Sequence, residues 1–368
     1  MKYRIVSATL ALFMTVSIAG CELDPPYTGS GPAIPSPSAQ SGISSSAQKE
    51  NPYALNPLTG VYDLKKEATG KRPVAVMINN IETAQSVQTG LGEADIVFEN
   101  LAEGGITRLM AVYSDISSVG QIGTIRSLRY SYIDLAATFD AIPVHCGSDN
   151  TYATPHLKKL KLSSYDLGAK DSSVQFREKN GKATEHTLYT KGSMLSEGIA
   201  KSDLRQNLNE DSKPVFSFSS AEQTTPAGEL SCLDAFVSMS SSYTTNFRYD
   251  ESSKMYTRCP KGKALKDYKT SKTVSFKNVF FLYTNVTSFD DNYHTKTALD
   301  GGEGVYISEG GAKTIRWKKG EASSPLAFTN EDGSALKVNA GSSWICLVPT
   351  SEKDRTKITG LDSGSSNS

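Results

Sequence analysis

Apolar and polar residues change their pattern twice along this chain. Residues 5–20 form an unbroken, mostly apolar run, IVSATLALFMTVSIAG, which follows Lys2 and Arg4 and ends at Cys21. From residue 22 to about residue 50, large apolar residues almost disappear, and Gly, Ser, Pro, Ala and Gln dominate. Beyond that point, short apolar segments recur between turn residues, which indicates a folded part of about 300 residues.

Strand-like and helix-like segments alternate between residues 51 and 230. Four apolar runs predict buried strands, namely 73–80, 95–100, 106–115 and 141–147. Gly104 and Gly105 suit a hairpin loop between the second and third of these runs. An apolar stripe with helical spacing predicts a helix from about Ile125 to Phe139. We therefore expect residues 51–230 to form an α/β (or α+β) domain with a mixed sheet.

From residue 231 the pattern changes to short strand-like segments separated by Gly, Asn, Asp and Ser. Examples are NVFFLYTNV, EGVYIS, AKTIRWKK and SSWICLVP. This spacing predicts a smaller, mostly antiparallel β domain over residues 231–352, built as a small sandwich or barrel. The polar C-terminal segment, residues 353–368, is expected to be a disordered tail.

The N-terminal run has the form of a lipoprotein signal peptide. A positively charged start precedes a short apolar stretch, and SIAGC resembles the lipobox of bacterial lipoproteins. We expect residues 1–20 to be removed and Cys21 to carry acyl chains such as palmitate, which would anchor the protein to the extracytoplasmic face of the cell membrane. The alternative is an ordinary secretory signal. Residues 21–50 would then be a disordered tether with a reach of about 30 Å.

Charge and cysteine content exclude several classes of protein. The first 20 residues hold two of the 39 basic residues and none of the 39 acidic ones, which leaves a net charge of −2 on the rest. A nucleic-acid partner is therefore not expected. The cysteines beyond Cys21 have no CxxC spacing, so neither a metal site nor another cofactor is predicted. Cys232 and Cys259 could form a disulfide in an oxidising exterior, or remain buried thiols.

Two arginines lie at the start of the predicted helix. Arg126 and Arg129 are three positions apart, Ser127 stands between them, and Gly120 and Gly123 precede them. Cations are unfavourable at a helix N-terminus, so an anion held there would explain them. That anion is either an external phosphate, carboxylate or uronate, or an internal carboxylate, for which the candidates are Glu99, Glu103 and Asp134. A third alternative is that both arginines are simply solvated.

Histidines offer weaker evidence for chemistry. His145 ends a predicted strand, where α/β sheets often present functional groups, although a structural role is equally open at this point. His186 could approach the same cleft. The chain has no GxSxG, HExxH, Walker or Rossmann motif, which favours a binding protein over an enzyme.

Several segments together resemble the YerB-like bacterial lipoproteins, a family of unknown function. They are GEADIVFENLAEGGITRLMAVYSD, GQIGTIRSLRYSYIDLAATFDAIPVHCGS, EHTLYT, and the stretch from NVFFLYTNV to SSWICLVPT, so the resemblance covers residues 51–350. It implies a Gram-positive, membrane-anchored protein linked to peptidoglycan synthesis. The characteristic segments contain six candidate ligand-binding residues: Glu103, Arg108, Arg126, Ser127, Arg129 and His145. Cys146 stands where a small residue is expected, which argues against a thiol nucleophile.

The leading hypothesis is therefore an extracytoplasmic lipoprotein that serves as a binding or scaffold protein of the cell envelope. Its ligand would be an anionic cell-wall glycan or glycopolymer, or a protein of peptidoglycan synthesis. The alternative is a cell-wall phosphotransferase or hydrolase that uses a cleft formed by Arg126, Arg129 and His145. A third interpretation is a structural interaction protein whose arginines pair internally.

Overall fold

The computed structural model describes residues 51–170 and 172–360. The predicted signal peptide, the lipidation of Cys21 and the tether before residue 51 lie outside the described residues. The elements of the first part are β1 (Tyr53–Leu55), β2 (Tyr62–Lys65), β3 (Val74–Asn79), α1 (Glu82–Gln85), β4 (Ile96–Glu103), β5 (Ile106–Tyr113), β6 (Gln121–Gly123), α2 (Tyr130–Ala137), β7 (Ile142–His145), α3 (Ala153–Lys159), β8 (Tyr165–Asp166), β9 (Phe176–Arg177), β10 (Leu188–Lys191), α4 (Gly192–Ala200) and β11 (Ser217–Phe218).

The remaining described residues add strands only, apart from one 3-10 helix, Thr350–Arg355. They are β12 (Leu230–Ser231), β13 (Asp234–Ser238), β14 (Thr244–Asp250), β15 (Met255–Pro260), β16 (Ser275–Phe276), β17 (Asn278–Thr284), β18 (Val286–Ser288), β19 (Thr295–Thr297), β20 (Gly301–Ser308), β21 (Gly311–Lys318), β22 (Ala327–Thr329), β23 (Lys337–Val338), β24 (Ser343–Pro349) and β25 (Lys357–Thr359).

A mixed sheet of eleven strands forms the centre of the fold. Its order is β12-β21-β20-β17-β24-β4-β5-β3-β7-β8, with β22 paired to β21. β3 is parallel to β7, and β24 is parallel to both β17 and β4, whereas β4 and β5 form an antiparallel hairpin. Five further strands, in the order β16-β15-β14-β13-β25, form a smaller antiparallel sheet. The predicted fold class, a mixed sheet with a smaller antiparallel β part, is confirmed.

Several strands that the sequence pattern assigned to a separate sandwich belong to the large sheet. β17 and β24 are buried along their whole length, and Trp344 of β24 pairs in register with Val97 of β4. Strands that are apolar on both faces need cover on both sides, and the centre of a large sheet supplies it. The domain boundary near residue 230 stays a prediction. Strands from both sides of that residue hydrogen-bond to each other in the large sheet.

One local prediction needs correction, and one alternative left open by the sequence is decided. The predicted tail begins later than residue 353, because residues Thr350–Arg355 form a 3-10 helix and β25 hydrogen-bonds to the edge of β13, where Ile358 is partly buried. Of the two states left open for Cys232 and Cys259, the structure has free, buried thiols.

The helix predicted from Ile125 is shorter than expected. α2 begins only at Tyr130, and residues 124–129 are not helical, with isolated β-bridges at Ile125 and Leu128. Their backbone groups are taken by neighbouring segments, since the Ile125 amide donates to Leu188 and the Arg126 amide donates to Met77. Hydrogen bonds to distant strands have therefore overridden the local helical pattern. Arg126 is outside the helix, so the argument from the helix dipole was wrong.

Candidate functional site

A tight hairpin turn positions the acidic residue of the site. Gly104 and Gly105 both have positive φ, 57° and 74°, and connect β4 to β5 as a two-residue turn. The register between the strands shifts between Leu101 and Glu103, which is a β-bulge. The extra residue turns Glu103 to the face of the sheet that also carries Arg108, opposite to the face of Glu99.

Glu103 binds two arginines at once. Its Oε1 accepts a hydrogen bond from Nη2 of Arg108 at 2.7 Å. Arg129, the residue before α2, donates from Nε to Oε2 at 2.8 Å and from Nη2 to Oε1 at 3.0 Å, which makes this pair bidentate. The Glu103 side chain is 8% exposed and that of Arg129 is 17% exposed. Arg108 also donates from Nη1 to the carbonyl oxygen of Ser127.

Arg126 lies beside this cluster without a carboxylate of its own. Its segment runs past the ends of β3 and β7, where its carbonyl accepts a hydrogen bond from the Cys146 amide. The side chain is partly exposed, yet its Nε is buried and has no hydrogen-bond partner among the described residues. No described Asp or Glu lies within ion-pair distance of it; its neighbours include Arg108, His186 and Cys146.

The charges of the cluster do not balance. Arg108, Arg126 and Arg129 carry three positive charges, and Glu103 supplies one negative charge. Although burial alone would raise it, the pKa of Glu103 is lowered by the charges and hydrogen bonds of Arg108 and Arg129. Burial, followed by the positive charge of Arg129, lowers the pKa of Arg108 to about 10. Glu103 is therefore ionised at neutral pH, and since arginine side chains in proteins stay protonated, a surplus of two positive charges remains.

Both nearby histidines have occupied ring nitrogens. His145 must donate from Nδ1 to the carbonyl of Gly147 at 2.7 Å, so its Nε2 accepts from the Ser164 hydroxyl at 2.9 Å. His186 contacts Asn79 at 2.7 Å and Thr83 at 3.4 Å. Burial lowers the pKa of both histidines, which keeps them neutral at pH 7. The geometry favours a structural role for His145, whose place in the ligand site stays a prediction.

Of the three carboxylates proposed as internal partners of the arginines, Glu103 alone contacts them among the described residues. Asp134 pairs instead with His156, at 2.7 Å. Glu99 lies on the opposite face of the sheet and is fully buried with Arg258, whose Nη2 is 3.4 Å from it. Sequence reasoning missed Arg258, although its place in β15 carried a signal. It shares the inward-facing parity of Tyr256, where an apolar residue is expected.

Aromatic side chains border the cluster next to Arg129. Tyr130 stacks on His156 with ring centroids 4.1 Å apart, and Tyr152 stacks on Phe289 at 3.9 Å. The adjoining strand β19 is fastened to this region, since the Thr295 hydroxyl donates to the carbonyl of Ala102. The rim of the candidate site is therefore partly aromatic and is held in place by both parts of the chain.

Other features of the described residues give weaker evidence for a functional site. A groove of about 670 Å³ is lined by Arg72, Asp140 and Arg205, among others, but Arg72 donates to three backbone carbonyls and Arg205 pairs with Asp140. Within residues 51–170 and 172–360, no three His, Cys, Asp or Glu side chains are grouped as a metal site would require. None of the helices described is long and apolar enough to cross a membrane.

Comparison with known proteins identifies the family. DUF3048 is a family of proteins of unknown function. The model of its N-terminal domain matches residues 58–205, and the model of its C-terminal domain matches residues 235–345. Together they cover more than half of the chain. The chain belongs to the DUF3048 family.

A curated DUF3048-like relative comes from Bacillus subtilis (strain 168). The protein named "Putative lipoprotein YerB" is 29% identical over 300 residues, which are 80% of this chain and 86% of that protein. A crystal structure of the Bacillus subtilis YerB protein superposes with a TM-score of 0.71 at 26% identity, over 83% of this chain and 99% of that one. The predicted YerB-like resemblance is confirmed. The relative's name supports a lipoprotein, and no ligand or partner is named.

Proposed function

We propose that this chain is a lipid-anchored protein on the extracytoplasmic face of the membrane, which binds an anionic group of the cell envelope at Arg126. The observation that carries the proposal is the unsatisfied Nε of Arg126, which, unlike the unsatisfied Nε and Nη1 of the fully buried Arg258, belongs to a partly exposed side chain. A buried Nε without a partner costs free energy, about 1–3 kcal/mol for an unsatisfied group, unless a ligand or water accepts its hydrogen bond. A bound anion would satisfy this donor and offset the surplus positive charge.

The position of Arg126 supports an external ligand. The residue is reached from solvent, because its side chain is partly exposed. It also lies where the parallel strands β3 and β7 end, and ligands of α/β sheets commonly bind at that edge. Arg108 and Arg129 are held by Glu103, so they add positive potential and keep the local geometry in place. Ser127 and His145 stay members of the predicted site by position only.

The chemical class expected is a phosphate, carboxylate or uronate, since these match the planar guanidinium fork. Cell-wall glycans and glycopolymers carry such groups, and so does an acidic loop of a peptidoglycan-synthesis protein. The enzyme alternative is less well supported by the geometry. The candidate proton carriers Glu103, His145 and His186 are all engaged in other contacts.

The test is a calorimetric titration of the full-length protein in detergent with inorganic phosphate, glycerol-phosphate oligomers and muramic-acid-containing glycan fragments. One of these probes should bind, more weakly at high salt. The Arg126→Gln variant should lose about tenfold in affinity, equivalent to about 1.4 kcal/mol. Arg248→Gln removes an exposed arginine of β14 and should bind as the parent does. Equal affinity of Arg126→Gln and the parent would refute the assignment of the site.

A further inference from the structure

The hairpin ribbon of β1 and β2 exposes apolar side chains at the start of the described chain. Tyr53 is 47% exposed, Leu55 is 49% exposed and Tyr62 is 60% exposed. Only two other large apolar side chains of the described residues are as exposed, Leu230 and Tyr293, and each lies in a different segment. Single exposed apolar residues are normal on protein surfaces, whereas three on one short ribbon are not.

The three side chains share one face of the ribbon. Leu55 lies directly opposite Tyr62 in the antiparallel register, and Tyr53 is two positions before Leu55 on the same strand. Lys65 lies opposite Tyr53 on that face. Its side chain is 49% exposed, and its Nζ lies 3.5 Å from Oδ2 of Asp115, an ion pair that still leaves half of the lysine side chain open to a headgroup. Tyrosine and lysine next to an aliphatic residue are the side chains that membrane–water interfaces favour.

The opposite face of the ribbon is fixed to the protein. Leu58 and Leu64 are buried, with exposed fractions of 5% and 4%. The Asn56 side chain, between the strands, donates to Asp95 at 2.9 Å. The exposed face is therefore presented by a supported element, so its direction relative to the body of the protein is set by the fold.

The position of the ribbon in the chain favours a lipid bilayer over a protein as the surface that it contacts. Tyr53 follows the predicted lipid-attachment residue, Cys21, by 32 residues, and β1 is the first element of the described chain after it. A stable protein interface needs about 800 Å² from each partner, far more than three half-exposed side chains provide. A bilayer needs no such area when an acyl anchor already holds the protein beside it.

We propose that the β1–β2 ribbon rests on the headgroup region of the membrane that carries the lipid anchor. Tyr53, Leu55 and Tyr62 lie at the boundary between headgroups and acyl chains, and Lys65 contacts anionic headgroups. The contact gives the anchored body a defined orientation on the membrane. It rests on the lipid anchor of the proposed function but not on ligand binding at Arg126, since the ribbon shares no residue with that site.

The experiment places a fluorescent reporter on the ribbon. Full-length lipidated protein is reconstituted in vesicles of phosphatidylcholine and phosphatidylglycerol, with Tyr62→Trp as the reporter and Tyr293→Trp, 54% exposed in the parent, as the matched control. The native Trp317 and Trp344 are buried and give a constant background. Brominated lipids should quench Tyr62→Trp about twofold more than Tyr293→Trp, and acrylamide should quench it less.

A second substitution tests the apolar face itself. Leu55→Asp in the Tyr62→Trp protein should abolish the bromolipid quenching, because a carboxylate at that face must stay in water. Leu230→Asp, at a leucine of similar exposure, should leave the quenching unchanged. Equal acrylamide access of Tyr62→Trp and Tyr293→Trp in vesicles would overturn the proposal. Shielding of Tyr62→Trp that rises with protein concentration in detergent alone would also overturn it, in favour of a second copy.

Discussion

β4 carries two glutamates, four residues apart, and each is paired with arginine in a different way. Glu99 and Arg258 are both fully buried, one glutamate to one arginine. Glu103 holds Arg108 and Arg129 near the surface, with Arg126 beside them as an uncompensated charge. The bulge between Leu101 and Glu103 separates the two clusters onto opposite faces of the sheet.

The difference shows how structural and ligand-binding charges can be distinguished. Around Glu99 the opposite charges are equal in number, water is excluded, and Asn80, Thr107 and Trp344 donate further hydrogen bonds to the carboxylate. No ion from outside is needed to neutralise its charge, although Nε and Nη1 of Arg258 have no hydrogen-bond partner among the described residues. Around Glu103 a positive surplus meets solvent, which is the condition under which an external anion is favoured. Both clusters consist of glutamate and arginine, and burial and charge balance decide whether a cluster is structural or can bind a ligand.

The largest effect on stability is expected when the buried pair of Glu99 and Arg258 loses its arginine. Arg258→Met should lower the free energy of unfolding by about 3–5 kcal/mol, because Glu99 would stay buried without its counter-charge. Adding Glu99→Gln should restore much of the loss. Urea unfolding measures both, and Arg248→Met, at an exposed pair with Asp234, should cost at most about 1 kcal/mol. A loss no larger for Arg258→Met than for Arg248→Met would contradict the structural role.

A smaller effect is expected when the surface cluster loses its carboxylate. Glu103→Gln weakens the charge-assisted hydrogen bonds to Arg108 and Arg129, so the free energy of unfolding should fall by about 1–3 kcal/mol at pH 7. Urea unfolding at low salt is the measurement. If the variant were as stable as the parent, Glu103 would not be the residue that holds the two arginines.

The pH dependence of the unfolding free energy tests the negative charge of the Glu103 side chain. The pKa of Glu103 is lower in the folded protein than its ordinary value of 4.5. Its stabilisation is therefore complete above pH 4.5 and is lost as the pH falls through the folded value. The difference in unfolding free energy between the parent and Glu103→Gln should shrink on acidification from pH 7 to pH 3. A constant difference over that range would mean that the carboxylate charge contributes nothing.

The smallest effect on stability is expected at Arg126. Arg126→Gln removes an unpaired charge and an unsatisfied buried donor from a site with a positive surplus, so without ligand the free energy of unfolding should not fall and should rise by about 1 kcal/mol at most. Thermal unfolding compares this variant with Glu103→Gln. A destabilisation above 1 kcal/mol would assign Arg126 a structural role like that of Arg258, and the contrast between the two clusters would disappear.

Local features of the molecule were predictable where local chemistry decides them. The strand runs, and the hairpin closed by Gly104 and Gly105, follow from β-branched residues and from a turn that requires positive φ. The start of α2 was not predictable, because the amides of Ile125 and Arg126 donate to strands far away in sequence. The pair of Glu99 and Arg258 joins residues 159 positions apart, which no local pattern specifies.

The amino-acid sequence by itself determined the strands, the turns, the family and the presence of several arginines and carboxylates in its characteristic segments. Only the tertiary structure decided that β24 inserts beside β4, that Glu103 holds Arg129, and that the Arg126 side chain has no carboxylate partner among the described residues. The physical reason is the distance along the chain over which each kind of interaction acts. Propensity and turn geometry act over a few residues, whereas ion pairs and burial depend on distances in space that the whole fold sets.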